Sequence, residues 1–193
     1  MAVCLFKFVF CLALIKSEDD EVLFAIAEEL GNVFPLIKDK TVFLGLLEQL
    51  ARQDETVVRD MAANSLVKIC KDLSDAEFQN VFAPLVIKLA QCEWFTGRIS
   101  STKLFHDCYR SAGPQKEKLR KKFIELCNED TPMIRRACAS RLGAFSTVLD
   151  KTHILQEILP IFRQLSQDEQ DTIRVMCLES LIPMAKILSK EEN

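Results

Sequence analysis

A chain of 193 residues, 49% of them hydrophobic, is long enough to bury a substantial core. Its net charge of −3 at pH 7 leaves no basic excess to neutralise phosphates, so no nucleic-acid partner is expected. Five Gly and six Pro are too few for an all-β chain full of tight turns, and abundant Leu, Ala, Glu and Lys point to an all-α fold.

The first fifteen residues, MAVCLFKFVFCLALI, carry one charge, Lys7. Such a run resembles a secretory signal or a short anchor. Its start is not basic, however, no A-x-A site follows, and the apolar stretch is short for a membrane span. We read it as the first helix of a repeat, with a signal, an anchor or disordered sequence as the rival readings. Four later segments share a turn that leads into a helix: DETVVRD at 54–60, EWFTGR at 93–98, DTPMIRR at 130–136 and EQDTIRV at 169–175. Arg59, Arg98, Arg135 and Arg174 occupy one slot in these segments, and Leu23 fills it in EDDEVLF. The successive spacings are 36, 39, 37 and 39 residues.

The register holds away from this anchor. Nine residues before it stand Leu14, Leu50, Leu89, Leu126 and Leu165. Five before it, Glu18, Asp54, Glu93, Asp130 and Glu169 are all acidic. Four after it the residue is mostly small, as Ala27, Ala63, Thr102, Ala139 and Leu178. Seven after it come Leu30, Leu66, Phe105, Leu142 and Leu181. A period of this length with these columns predicts a right-handed α-solenoid of about five HEAT-type helical hairpins. The chain is then one array, with repeats over 1–37, 38–73, 74–112, 113–149 and 150–188, and 189–193 opening another. The leucine closes helix A of each repeat. The acidic residue opens the A–B turn and is expected to cap helix B. The small residue lets neighbouring helices approach. Pro84 and Pro160 fall inside helix A and predict a kink there. Ser74 to Glu77 and Ser189 to Glu192 read as capping boxes, and Gly113-Pro114 as a helix stop.

Catalytic signatures are missing from the sequence. His106 and His153 are the two histidines. His106-Asp107-Cys108 looks like a triad in writing, but neighbours on a helix point about 100° apart and cannot relay a proton. No GxGxxG, Walker loop or HExxH occurs. Eight cysteines without a CxxC pair read as buried free thiols in a reducing compartment, the cytoplasm or the nucleus, not as disulfides or zinc ligands. The expectation is a non-enzyme without cofactor, metal or small-molecule substrate.

A solenoid binds along the edge formed by its equivalent turns. Most of these A–B turns are acidic. Trp94-Phe95 is the exception, and two adjacent aromatics in a polar turn read as a partner contact, with a plug between repeats as the alternative. Met133 reads the same way. The arginine slot predicts a structural ladder in which Arg59, Arg98, Arg135 and Arg174 bond acidic residues of their own or the next turn.

These turns, with EDDEVLFAIAEELG, DETVVRDMAANSL, WFTGR, DTPMIRRACASRLGAF and DEQDTIRV, resemble the scaffolding A subunit of protein phosphatase type 2A from about Ser17 to Leu188. Residues 1–16 do not. The resemblance is to the N-terminal repeats of that family. It implies a non-catalytic scaffold whose turns hold a regulatory B-type subunit through Asp54, Glu55, Trp94, Phe95, Asp130, Thr131, Met133, Asp168, Glu169, Gln170 and Asp171. It also implies that a catalytic subunit would join only if C-terminal repeats were supplied. The rival reading is a HEAT-repeat cargo-binding module of a transport receptor.

Overall fold

The structure is a computed structural model, and it describes residues 13–16, 19–37 and 40–189. The reading of residues 1–12 as a first helix A lies outside the described residues. So do Glu18 of the acidic column and the partners of Ser189 in the second capping box. The described residues are helical and turn segments without strands. The fold class is all-α, built of repeated helical hairpins of the HEAT type. Among the described residues no helix is long and apolar enough to cross a membrane.

The chain divides into two compact units, Met1–Ala112 and Gly113–Asn193. In the first, helix α1 (Asp20–Val33) is the B helix of the first repeat. Helices α2 (Lys40–Leu50) and α3 (Thr56–Cys70) form the second hairpin. The third has an A helix of three parts, α4 (Asp75–Glu77), a π-turn over Phe78–Phe82 and α5 (Ala83–Ala90). Its B helix is broken into α6 (Phe95–Thr102) and α7 (Phe105–Ser111). In the second unit, α8 (Lys116–Cys127) pairs with α9 (Pro132–Ser146). The last hairpin runs α10 (Lys151–His153), a π-turn over Ile154–Ile158, α11 (Leu159–Leu165) and α12 (Asp171–Leu188). Inside each unit A helices stack on A helices and B helices on B helices.

The columns explain this stacking. Leu50, Leu89, Leu126 and Leu165 are each at most 1% exposed and close the core under the A–B turn. Phe34 meets Phe43 edge-on at 5.8 Å, and Phe123 lies 4.4 Å from Phe145. Both proline kinks take one form. A proline removes the N–H that would bond the residue four back, and its ring crowds that carbonyl. The helix answers by widening to a π-turn just before Pro84 and again before Pro160. The Ser74 capping box is formed: Ser74 N donates to Glu77 Oε2 at 3.0 Å, and Glu77 N donates back to Ser74 Oγ at 3.4 Å. Lys40 adds an ion pair to Glu77 at 2.7 Å, and this contact with the two from Ser74 holds the Glu77 carboxyl down at about 2. Gly113 stops α7 with φ 46, the left-handed conformation in which glycine is favoured.

The break in the third B helix was not expected. Ser100, Ser101 and Thr102 are all buried, and each hydroxyl turns back to a carbonyl of its own helix, those of Thr96, Arg98 and Ile99. Such back-bonding competes with the backbone ladder and bends a helix.

The small column is a latch. Ser65 Oγ of α3 donates to the carbonyl of Ala27 in α1 at 2.8 Å. In the second unit Ser180 Oγ of α12 donates to the carbonyl of Ala139 in α9 at 3.0 Å and accepts from Gly143 N at 3.0 Å. A side chain at Gly143 would bring its Cβ to 2.9 Å from Ser180 Cα, a backbone atom that no rotamer change can move. Gly143→Ala should therefore destabilise the second unit by about 2 kcal/mol. Urea unfolding reads the change, and an unshifted midpoint would show that the helices can separate freely. The last B helix departs from the pattern. Leu178 and Leu181 stand in the small and the large apolar columns yet are 64% and 48% exposed, with Val175 and Ile182 beside them.

Candidate functional site: the A–B turns

Four of the A–B turns are held from within by their arginines. Arg59 Nη1 donates to the carbonyls of Gln53 at 2.8 Å and Asp54 at 2.5 Å. Arg98 Nη1 does the same to Cys92 at 2.7 Å and Glu93 at 2.6 Å. Arg135 Nη1 reaches Glu129 at 2.8 Å and Asp130 at 2.9 Å, and Arg174 Nη1 reaches Asp168 at 2.7 Å and Glu169 at 3.3 Å. Four guanidinium groups thus clamp the carbonyls five and six residues before them. The sequence suggested pairing with carboxylates. In these four clamps the acidic column contributes its backbone oxygen, which leaves Asp54, Glu93, Asp130 and Glu169 exposed, with their carboxylates able to face a partner.

One contact joins two successive turns through a carboxylate. Arg135 Nε donates to Asp168 Oδ2 at 2.7 Å and Nη2 to Oδ1 at 3.2 Å, a bidentate pair between the fourth and fifth repeats. Asp168 also accepts from Gln170 N at 3.0 Å. The Arg135 hydrogen bonds, opposed by burial and helped by Gln170 N, hold the Asp168 carboxyl below the usual aspartate range. The same pair raises Arg135. Arg174 bonds Asp171 of its own turn. In the first unit the link between turns is Thr96 Oγ1, which donates to the carbonyl of Arg52 at 2.8 Å.

The helix cap lies one residue later than the acidic column. Asp19 caps α1, accepting from Glu21 N at 2.9 Å, and Glu55 caps α3, accepting from Val57 N at 3.4 Å. In the other copies this slot holds Trp94, Thr131 and Gln170, none with a capping hydrogen bond from its side chain. Trp94 is 68% exposed, which does not suit a plug between repeats. Its carbonyl accepts from the Cys92 thiol at 3.0 Å. Phe95 is 37% exposed and Met133 55%. Asp54, Glu55, Glu169, Gln170 and Asp171 are exposed, Thr131 is half-buried, and the Asp168 side chain is mostly buried against Arg135. Trp94 and Phe95 thus belong to the first unit with Asp54 and Glu55, and Asp130 to Met133 belong to the second with Asp168 to Asp171. Val57, 55% exposed, is a further apolar residue of the second-repeat turn that the sequence did not single out. Its place two residues before the arginine, where Thr96, Met133 and Thr172 also stand, was the available signal.

The residues that suggested chemistry do not assemble into a catalytic site. His106 Nδ1 does stand 3.4 Å from Asp107 Oδ2, closer than their positions on one helix implied. Cys108, however, is fully buried, and burial with the neighbouring Cys70 thiol pushes its own thiol well up. Among the described residues no group of His, Cys, Asp and Glu could hold a metal ion.

No model of a known protein family matches the chain. Individual relatives do. The chain is 38% identical over 182 residues to the regulatory A subunit of protein phosphatase PP2A from Schizosaccharomyces pombe, covering 92% of this chain and 31% of that protein. A probable PP2A regulatory subunit of Caenorhabditis elegans is 42% identical, over 90% of the chain and 30% of the relative. The beta isoform of the human 65 kDa regulatory A subunit is 44% identical, over 69% and 23%. The chain thus spans about a third or less of the length of these relatives. Among solved structures, Cex1p matches with a TM-score of 0.65 at 12% identity, over 93% of the chain and 36% of that protein. A TOG domain array of microtubule polymerases matches at 0.56 and 14%, over 91% and 40%. At such identities these two show the fold alone.

Proposed function

Since this chain is a homologue of the regulatory A subunits of protein phosphatase 2A over most of its length, we propose that it is a non-catalytic scaffold that docks a regulatory B-type subunit on its A–B turns. The observation that carries the docking edge is Trp94. It occupies a slot where a cap would stabilise α6, cannot cap, and stands exposed beside Phe95. A residue that does nothing for its own helix and offers a large amphipathic surface suits a binding hot spot. Exposed carboxylates in the turns before and after it in sequence, at Asp54, Glu55, Asp130 and Glu169, give these turns a negative character that selects a basic surface opposite. In this proposal a catalytic subunit joins only when further repeats are supplied, and nucleic acid is not a partner. The described cysteines are free and, apart from Cys92, buried, which suits a reducing compartment such as the cytoplasm.

Calorimetric titration of a purified B-type regulatory subunit onto the full chain tests the proposal. The expected result is a saturable one-to-one complex that weakens as salt rises. No heat and no complex on gel filtration would overturn it.

A further inference from the structure

Gly31, Gly97 and Gly143 stand where another residue packs on the helix. An added Cβ would meet Ser65 Oγ at 2.5 Å at Gly31 and Ser180 Cα at 2.9 Å at Gly143, and at Gly97 it would run into the Cys92 thiol. Gly45 is different. It lies in the middle of α2, its φ is not positive, and an added Cβ would meet nothing within 4 Å. Glycine there weakens the helix relative to alanine, and no packing among the described residues compensates.

Gly45 lines an open groove of about 540 Å³ with Glu48, Arg52, Lys88 and Trp94 around it. Two more observations concern the charged side chains that line this groove. Arg52 Nε is buried without a hydrogen-bond partner, while Nη2 of the same guanidinium is bonded to Glu48 Oε1. A buried donor left unmade is costly unless an acceptor arrives. Lys88 Nζ also holds Glu48, at 3.0 Å from Oε1 and 3.1 Å from Oε2, yet its side chain stays 66% exposed. Two cations share one carboxylate, so the groove is locally positive on an otherwise acidic edge.

We infer that this groove seats an extended, acidic segment of the docking partner, whose backbone passes close over Gly45. On docking, the partly exposed Arg52 side chain turns its Nε outward, and an acceptor oxygen of the segment takes that proton in a hydrogen bond. An acidic side chain faces Lys88, and an apolar one lies against Trp94. Glycine is the residue that lets a foreign backbone come this near a helix. The inference rests on the docking role proposed above and narrows it to one stretch of partner chain with a chemistry opposite to that expected along the rest of the edge.

The test titrates a purified B-type regulatory subunit onto full-length wild type, Gly45→Ala, Gly45→Leu, Arg52→Lys and Trp94→Ala, with a thermal melt of each. Gly45→Leu fills the groove from a helix position with free space around it. It should melt no lower than wild type and bind about tenfold or more weakly. Gly45→Ala should melt higher and bind less tightly than wild type. Arg52→Lys keeps a cation for Glu48 but loses the Nε donor, and should weaken binding severalfold. If Gly45→Leu and Gly45→Ala both bind within about twofold of wild type while Trp94→Ala is weakened, the groove inference is overturned and the docking edge stands. If wild type itself does not bind, the docking role falls and the groove with it.

Discussion

Replacing Trp94 by alanine should weaken the docking of B-type regulatory subunits about thirtyfold, on the order of 2 kcal/mol, and leave the melting temperature where it was. The two readouts separate because of where the side chain sits. With 68% of its surface exposed, the indole makes few contacts that folding needs, and a partner that covers it gains that exposed share of its apolar area. The slot sharpens the expectation. Asp19 and Glu55 cap their helices from the equivalent position, and a short polar side chain there is worth about 1 kcal/mol. Trp94→Asp should therefore melt higher than wild type while binding as poorly as the alanine variant. Titration and thermal melts of the three proteins decide the matter. A lower melting temperature with unchanged affinity would mean that the indole serves the fold.

Arg135→Ala should destabilise the second unit by about 3 kcal/mol, more than the equivalent change at Arg174. Arg135 bonds two carbonyls of its own turn and both oxygens of Asp168, and the side chains of this pair are 16% and 9% exposed. Removing the guanidinium strands a mostly buried carboxylate. Arg174 bonds two carbonyls and Asp171, but its side chain is 42% exposed and the Asp171 side chain 85%, so water replaces that ion pair readily. The pair also predicts a pH dependence. The Asp168 carboxyl is held below its ordinary value of 3.8, chiefly by the Arg135 hydrogen bonds. A depressed folded pKa contributes stability that is fully present above the unfolded value and is lost as the pH falls through the folded one. The gap in unfolding free energy between wild type and Arg135→Ala should be constant at neutral pH and shrink below about pH 4. A gap that stayed flat down to acid denaturation would show that the clamp on the carbonyls of Glu129 and Asp130 accounts for the whole effect.

Much of this architecture is legible in the chain. The period, the leucine column and the turn that ends each A helix depend on local patterning, because a helical hairpin must bury one face against its partner every repeat. The Ser74 capping box, the Gly113 stop and the positions of both kinks are equally local, since they follow from what serine, glycine and proline do to the backbone beside them. Trp94 stood out as an apolar residue in a polar slot and Met133 as one in a slot that alternates between polar and apolar, and the structure places both on the surface.

Other features needed the fold. The acidic column was expected to cap the B helices through its side chains. Its backbone carbonyls do the structural work instead, because the arginine five residues on folds back over the turn, and no pattern of residue types records which oxygen of a residue is used. The latch of Ser65 on Ala27 and of Ser180 on Ala139 joins residues 38 and 41 positions apart. Its close approach exists only once B helices stack. The three hydroxyls at 100–102 could have warned of the broken helix, but whether such groups bond back to their own helix depends on being buried away from water. Gly45 looks in the sequence like any other helical glycine, and only the empty space around it in the folded chain sets it apart from Gly31 and Gly143. The sequence by itself determined the repeat, its turns and the residues that cannot serve the core. The tertiary structure decided which oxygens the arginines clamp, where B helices latch and where a groove stays open, because these depend on how the folded backbone turns and on distances between repeats that residue order does not encode.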